Sequence, residues 1–596
     1  MKSSVLAAIA ISVLAIAIIA ALVLMGSGDK LQSAEDPDER LGMFCFVIDG
    51  KETDIVKGMD LPKDLKVTAR DGTMAWRSCE VNEGSGIVAI DAVVDDALVD
   101  YVFVFEGMKP GSLSAELNKG VPEIHLAVDG GLRIALYYYD HKGEDMEKFT
   151  FGTYEHLKQT NVQLVTYYSD TLLDGDPTKL NPDLMAFACA LEISSGYEAT
   201  ERYTSVLKLL EDIGCSKVKA NDSFHREPRV DSTDVAVGYK KYNDQNVIFV
   251  VLNGTRYNTE FTANLMVGET GDHKGFCYAR DEGMNALKDF IRENGITGKT
   301  KLLITGYSRT AAGGNLLAAS IADMIHDGTV RQNLGDIELD QKDFFAFSFE
   351  TPLCGYYEEG KGYVKPTDPR YDGIWYVTDP NDVVTYVPSD LYGFVRYGQH
   401  YVTKSHDADA TAKMLEAARK YYGDELAEML DLSKYTVISD VGSLQELWKG
   451  FVPKMFNSLG TRQFYHDNME RDITRSTEAV LKDPSVIKEI TDRYGGVMAF
   501  IVGLYGKATD KETFTANFLP VVSEIMTKHG MGEYSQNLVD ASYQLVQMVK
   551  RYSGGSVMSL ITDKYVLSMT ANTNYLITSH MPSMVYSYLM AESGYY

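Results

Sequence analysis

The stretch Leu302–Ala319, LLITGYSRTAAGGNLLAA, leaves this chain few folds to choose from. An apolar run, Leu302-Leu303-Ile304, ends at Gly306-Tyr307-Ser308-Arg309-Thr310, and an Ala/Leu-rich helical pattern follows at once. That reads as strand, sharp turn and helix, with a serine at the apex. Such a turn lifts the hydroxyl clear of a sheet and sets it at a helix N-terminus, where backbone N–H groups stabilise developing negative charge. A serine that merely caps a helix shows the same pentapeptide, so alone it leaves both readings open.

The surroundings extend the pattern. Buried-strand runs at Lys301–Thr305, Phe344–Phe349 and Ile374–Val377 alternate with helical segments such as Gly283–Glu293 and Ala311–Met324. Strands alternating with helices predict a largely parallel α/β sheet. Two helices, Pro182–Ile193 and Ala199–Ile213, precede it, with a hairpin at Val235–Tyr239 and Val247–Leu252. Residues 42–154 read instead as a small antiparallel β domain, with a tight hairpin at Asp129-Gly130-Gly131. After Lys404 the pattern turns helical, at Thr411–Leu432, Leu444–Phe456, Glu470–Leu481, Val497–Leu504, Ala516–Lys528 and Tyr534–Arg551.

Val5–Met25 carries no charge over 21 residues, the length that spans a bilayer, and no small-x-small cleavage site follows it. Residues 1–27 are therefore expected to be an uncleaved membrane anchor, with a cleaved export signal as the alternative. Lys2 before the span and the acids after it place the main domains outside the cell. Residues 28–41 read as a tether. The chain has 57 Lys+Arg against 84 Asp+Glu, and a net charge of −27 argues against a nucleic-acid partner. Six scattered cysteines contain no C-x-x-C, so no metal site is expected. Cys45 with Cys79 and Cys189 with Cys215 are sequence neighbours, free either to pair or to remain thiols.

Four more stretches give the serine a context: VIFVVLNGT (Val247–Thr255), His273-Lys274-Gly275-Phe276, FSFETPLCG (Phe347–Gly355) and VTDPNDVVTYVP (Val377–Pro388). In this order, over roughly 182–401 and again around 575–590, the chain resembles the class 3 lipase family of fungal-lipase-like α/β-hydrolases. That family shows a strand ending in Arg-Gly-Ser/Thr, then His-x-Gly-Phe, Gly-His-Ser-x-Gly-Gly, a Gly-x-Pro stretch and an Asn-Asp turn. The resemblance implies an α/β-hydrolase core at 155–404 and 571–596, with 405–570 inserted as a helical cap. It implies ester or lipid substrates and no cofactor.

By the same resemblance Ser308 is the nucleophile and Asp382 the acid, although a turn aspartate is equally natural in Pro-Asn-Asp. Backbone N–H groups of Thr255 and Arg309 would form the oxyanion hole. The chain order Ser…Asp…His leaves His400, His406, His466, His529 and His580 as bases. His580, in Ser579-His580-Met581 before an aromatic-rich segment, resembles the family's late histidine motif, and His400 is the alternative catalytic base. The chain departs from the family at Thr310 for glycine, Tyr307 for histidine and Asn253 for arginine, while Arg396 occupies a noncatalytic histidine's place. A threonine at 310 is expected to crowd the turn. The expectation is an exported serine hydrolase working through an acyl-enzyme; the alternative is an inactive hydrolase fold used for surface binding or adhesion.

Overall fold

A computed structural model describes residues 45–49, 51–53, 59–60, 74–82, 87–94, 97–118, 121–141, 146–154, 162–195, 202–225, 228–253, 259–405, 407–438, 440–483, 485–493 and 510–593. The expected membrane span, the tether, Val497–Leu504, His406 and Thr255 lie outside the described residues. Among the described residues, no helix is long and apolar enough to cross a membrane.

The central sheet has eight strands. Seven run in spatial order β1 (Lys217–Ala220), β2 (Val235–Tyr242), β3 (Gln245–Leu252), β4 (Gly298–Tyr307), β5 (Phe344–Phe349), β6 (Ile374–Thr378) and β7 (Gln399–Val402), with Ile337–Glu338 beside β4. From β3 to β7 all neighbours are parallel. β2 and β3 form the expected hairpin, closed by Asn243-Asp244 with φ of 46° and 61°. Two left-handed residues are what a two-residue hairpin loop requires.

The apolar strand runs are continuous because both faces of the sheet are covered. Val247, Phe249 and Val251 of β3 join one core, and Ile248, Val250 and Leu252 join the other. Helices α1 (Pro182–Ser195) and α2 (Arg202–Asp212) lie on the first face. The second carries α3 (Lys274–Asn294) and α4 (Arg309–His326). These two helices touch so closely that a Cβ on Gly313 would sit 2.4 Å from the Ala279 Cβ.

After β7 come α5 (Ala408–Tyr422) and α6 (Asp424–Leu430), broken apart at Gly423, where φ is 88°. Their buried residues Met414, Tyr421 and Leu426 belong to the first sheet face. The expected boundary at 405 therefore falls too early, because these helices complete the core with α1. The helical layer proper follows, with α7 (Leu444–Leu459), α8 (Arg471–Lys482), α9 (Lys511–Lys528) and α10 (Ser535–Tyr552). Trp448 and Phe451 of α7 pack with Val383, Tyr392 and Phe394, which follow β6, so this layer sits on the carboxyl ends of the strands. The final helix α11 (Pro582–Ser593) returns between α1 and α5.

The amino-terminal strands form a five-stranded and a four-stranded sheet, mostly antiparallel. The expected hairpin at Asp129–Gly131 is absent. Val121–Leu126 and Val128–His141 lie in different sheets, and Asp129–Leu132 bulges between the pairs Met108–Val128 and Glu106–Arg133. Glycines inside a strand mark bulges as readily as turns. The boundary at 154 also moves. Glu147–Tyr154 pairs with Val162–Tyr168, and that hairpin packs on α1 and α2 through contacts such as Tyr168 with Phe187.

Candidate active site

The turn between β4 and α4 is closed by three features. Ser308 has φ 57° and ψ −127°, a conformation most side chains avoid, and its N–H donates to Phe349 O at 2.9 Å. Gly306 leaves room for the turn to fold back; a Cβ there would meet Thr310 O at 2.4 Å. Thr310, fully buried, is seated rather than crowded. Its Oγ1 lies 2.7 Å from Leu252 O and 2.9 Å from Tyr307 O, and donates its one hydrogen between them. The hydroxyl thus ties β3 to the turn. Thr310→Val keeps the shape and removes the donor, so a loss of about 1–3 kcal/mol in urea unfolding is expected, whereas an unchanged midpoint would deny the tie any weight.

The structure brings Ser308, His580 and Asp382 together. His580 Nε2 lies 2.8 Å from Ser308 Oγ, and His580 Nδ1 lies 2.7 Å from Asp382 Oδ2. The imidazole is 13% exposed and the carboxylate fully buried. Asp382 also caps the short turn Val383–Tyr386, with Oδ1 accepting from Val384 N–H at 2.9 Å. The turn-aspartate role and the contact with the histidine therefore coexist in one side chain. Trp448 Nε1 donates to Asn381 O at 2.7 Å and ties α7 to this turn.

Tyr307, in the place of the family's histidine, reaches back to His580. Its hydroxyl donates to His580 O at 3.3 Å, and the two ring centroids are 5.7 Å apart. In the sequence Tyr307 stands out only as a departure from the family pattern; its contact with His580 exists only once residue 580 returns to the site.

The other histidines lie elsewhere. His400 bonds to Thr378 Oγ1 at 2.7 Å and stacks on Tyr376. His466 lies beside Glu470, and His529 beside Asp483 and Glu489, in the helical layer. His273 of the His-x-Gly-Phe stretch is fully buried between Phe276 and Phe394. Burial, helped by the nearby Arg462 guanidinium, pushes its imidazole down to about 3, so it is neutral packing at the start of α3.

Arg309 opens α4, so its backbone N–H stands at the helix N-terminus beside Ser308. Its guanidinium turns away, fully buried, donating to Ser232 O at 3.1 Å and Thr233 Oγ1 at 3.3 Å. Asn253, where the family has arginine, donates to Asp234 Oδ2 at 3.1 Å. Cys189 and Cys215 are separate buried thiols, so they do not pair. Burial pushes the Cys215 thiol up to about 12. Among the described residues no cluster of three or more metal-ligating side chains occurs.

No protein-family model and no curated protein matches this sequence. Similar solved structures include one titled as a model for interfacial activation from a fungal lipase–inhibitor complex, at 16% identity and a TM-score of 0.26, covering 38% of this chain and 80% of that one. The Rhizomucor miehei lipase propeptide complex is similar at 15% identity and TM-score 0.25, covering 38% of this chain and 68% of that one. Lipase II from Rhizopus niveus is similar at 16% and 0.24, covering 37% and 79%.

Proposed function

We propose that this protein is a serine hydrolase of carboxylic esters. The observation that carries the reading is the hydrogen-bonded chain from Ser308 through His580 to Asp382. In this reading Ser308 Oγ attacks the ester carbonyl carbon while His580 Nε2 takes the hydroxyl proton. Asp382 holds the imidazole in the tautomer with its proton on Nδ1 and stabilises the imidazolium. The Arg309 N–H, with Thr255 as the second donor, would bind the oxyanion. His580 then protonates the departing alcohol, and water, deprotonated by the same nitrogen, releases the acid from Ser308.

Lipid esters are the substrates this reading favours. The ground is the likeness of the stretches around Ser308, Asp382 and His580 to those of the class 3 lipases. The layer from α7 to α10 would then act as a cap. Residues 5–25 would anchor the protein in the membrane with these domains outside the cell.

A fluorophosphonate probe tests the reading. Wild-type protein should be labelled, and Ser308→Ala should not. A folded wild type that resists the probe would end the proposal.

A further inference from the structure

Glu350 follows β5 and is the residue least expected where it stands. Its φ is 47°, in the left-handed region, and it is fully buried. A glutamate pays backbone strain there that glycine would not, and such strain persists where the surroundings over-determine it. The corresponding residue in the lipase-like pattern is the glycine of Gly-x-Pro; here the stretch reads Glu350-Thr351-Pro352. The side chain lies against the acid of the Ser308–His580–Asp382 chain. Its carboxyl interacts with that of Asp382, while Asp379 N–H donates to its Oε1 at 2.9 Å and its Oε2 at 3.1 Å.

Two fully buried carboxyls side by side oppose a second negative charge, and one proton between them relieves the repulsion. Asp382 has the better claim to the negative charge, since it accepts from Val384 N–H and from His580. Glu350 has one backbone N–H, shared between its oxygens. Asp379, the third acid here, is itself supplied by Asn381 N–H, Thr403 Oγ1 and Ser405 Oγ. Arg396 donates to Thr351 O and Thr385 O, and its guanidinium acts on the two carboxyls through space rather than by a hydrogen bond. Burial and the charge of Asp382 both raise the proton affinity of Glu350 well above the usual carboxylate range.

We propose that Glu350 is a positioning residue, a neutral carboxylic acid whose O–H donates to the Asp382 carboxylate and holds it against His580. The inference rests on the serine-hydrolase reading above. It adds a fourth member to the chain: Glu350 O–H to Asp382, Asp382 to His580 Nδ1–H, His580 Nε2 to Ser308 O–H. With its other lone pairs engaged, Asp382 cannot rotate away as the imidazolium forms, and the geometry is kept without a second charge.

Two variants of the full chain test it. Glu350→Gln supplies an N–H donor to Asp382 and an oxygen to Asp379 N–H, and should keep kcat for a p-nitrophenyl acyl ester within about threefold. Glu350→Gly relieves the positive φ but removes the donor. It should fold, by circular dichroism, yet lose about tenfold or more in kcat with KM little changed, the worth of one hydrogen bond to a charged group. The infrared difference spectrum of wild type minus Glu350→Gln at neutral pH should show a protonated-carboxyl C=O band. A carboxylate band in its place, or a Glu350→Gly variant as fast as wild type, overturns the proposal while fluorophosphonate labelling of Ser308 still stands. Absence of labelling in wild type overturns the underlying reading instead, and this role with it.

Discussion

Asp382→Asn is expected to hydrolyse esters about 10⁴-fold more slowly than wild type while remaining folded. Oδ2 now accepts the Nδ1 hydrogen of His580 at 2.7 Å. An asparagine can present its NH₂ group there, which favours the tautomer with the hydrogen on Nε2. That nitrogen lies 2.8 Å from Ser308 Oγ and must be unprotonated to act as a base. The cap to Val384 N–H can survive through the amide oxygen, so the loss should appear in kcat and in the rate of fluorophosphonate labelling, not in the melting curve. Labelling at the wild-type rate would remove Asp382 from the mechanism.

The second large effect concerns stability. A Cβ on Gly275 would lie 1.8 Å from Ala263 O and 2.5 Å from its carbonyl carbon. Both are backbone atoms, which cannot swing aside as a side-chain tip can. Gly275→Ala must therefore push the first turn of α3 off the Thr259–Leu265 turn, breaking the bond from Gly275 N–H to Met266 O at 2.9 Å. A loss upward of about 3 kcal/mol is expected in urea unfolding. Gly295→Ala is the control. Its φ is 58°, but a Cβ would meet nothing within 4 Å, so only the left-handed penalty of about 1–2 kcal/mol applies. Equal losses in the two variants would show that the close approach at Gly275 costs no more than a left-handed φ.

Much of the α/β sheet is legible in the sequence. Phe344–Phe349 is a strand over the range read from its apolar run, and β2 and β3 form the hairpin read from their two apolar runs. Boundaries were harder where propensity ran weak. The helix read from Gly283 begins earlier, at Lys274. The Asp129-Gly130-Gly131 stretch was misread as a hairpin because glycines serve turns and bulges alike, and sheet pairing alone decides between them. Helices α5 and α6 looked like the start of an insertion, since an amphipathic stripe does not say which core it will meet.

The sequence by itself determined the alternation of strands and helices, and with it the turn that presents Ser308. Hydrophobic periodicity and turn chemistry are local, and local spacing records them. Only the tertiary structure decided which histidine meets that serine. His580 is 272 residues from Ser308 and 198 from Asp382, separations at which no spacing rule operates. The packing of α11 between α1 and α5 delivers it to the carboxyl end of β4. The same holds for Glu350, whose residue type says surface and whose φ and burial say otherwise. Its partner lies on the next strand's turn, and the cost of two buried acids arises only when both are folded into one site.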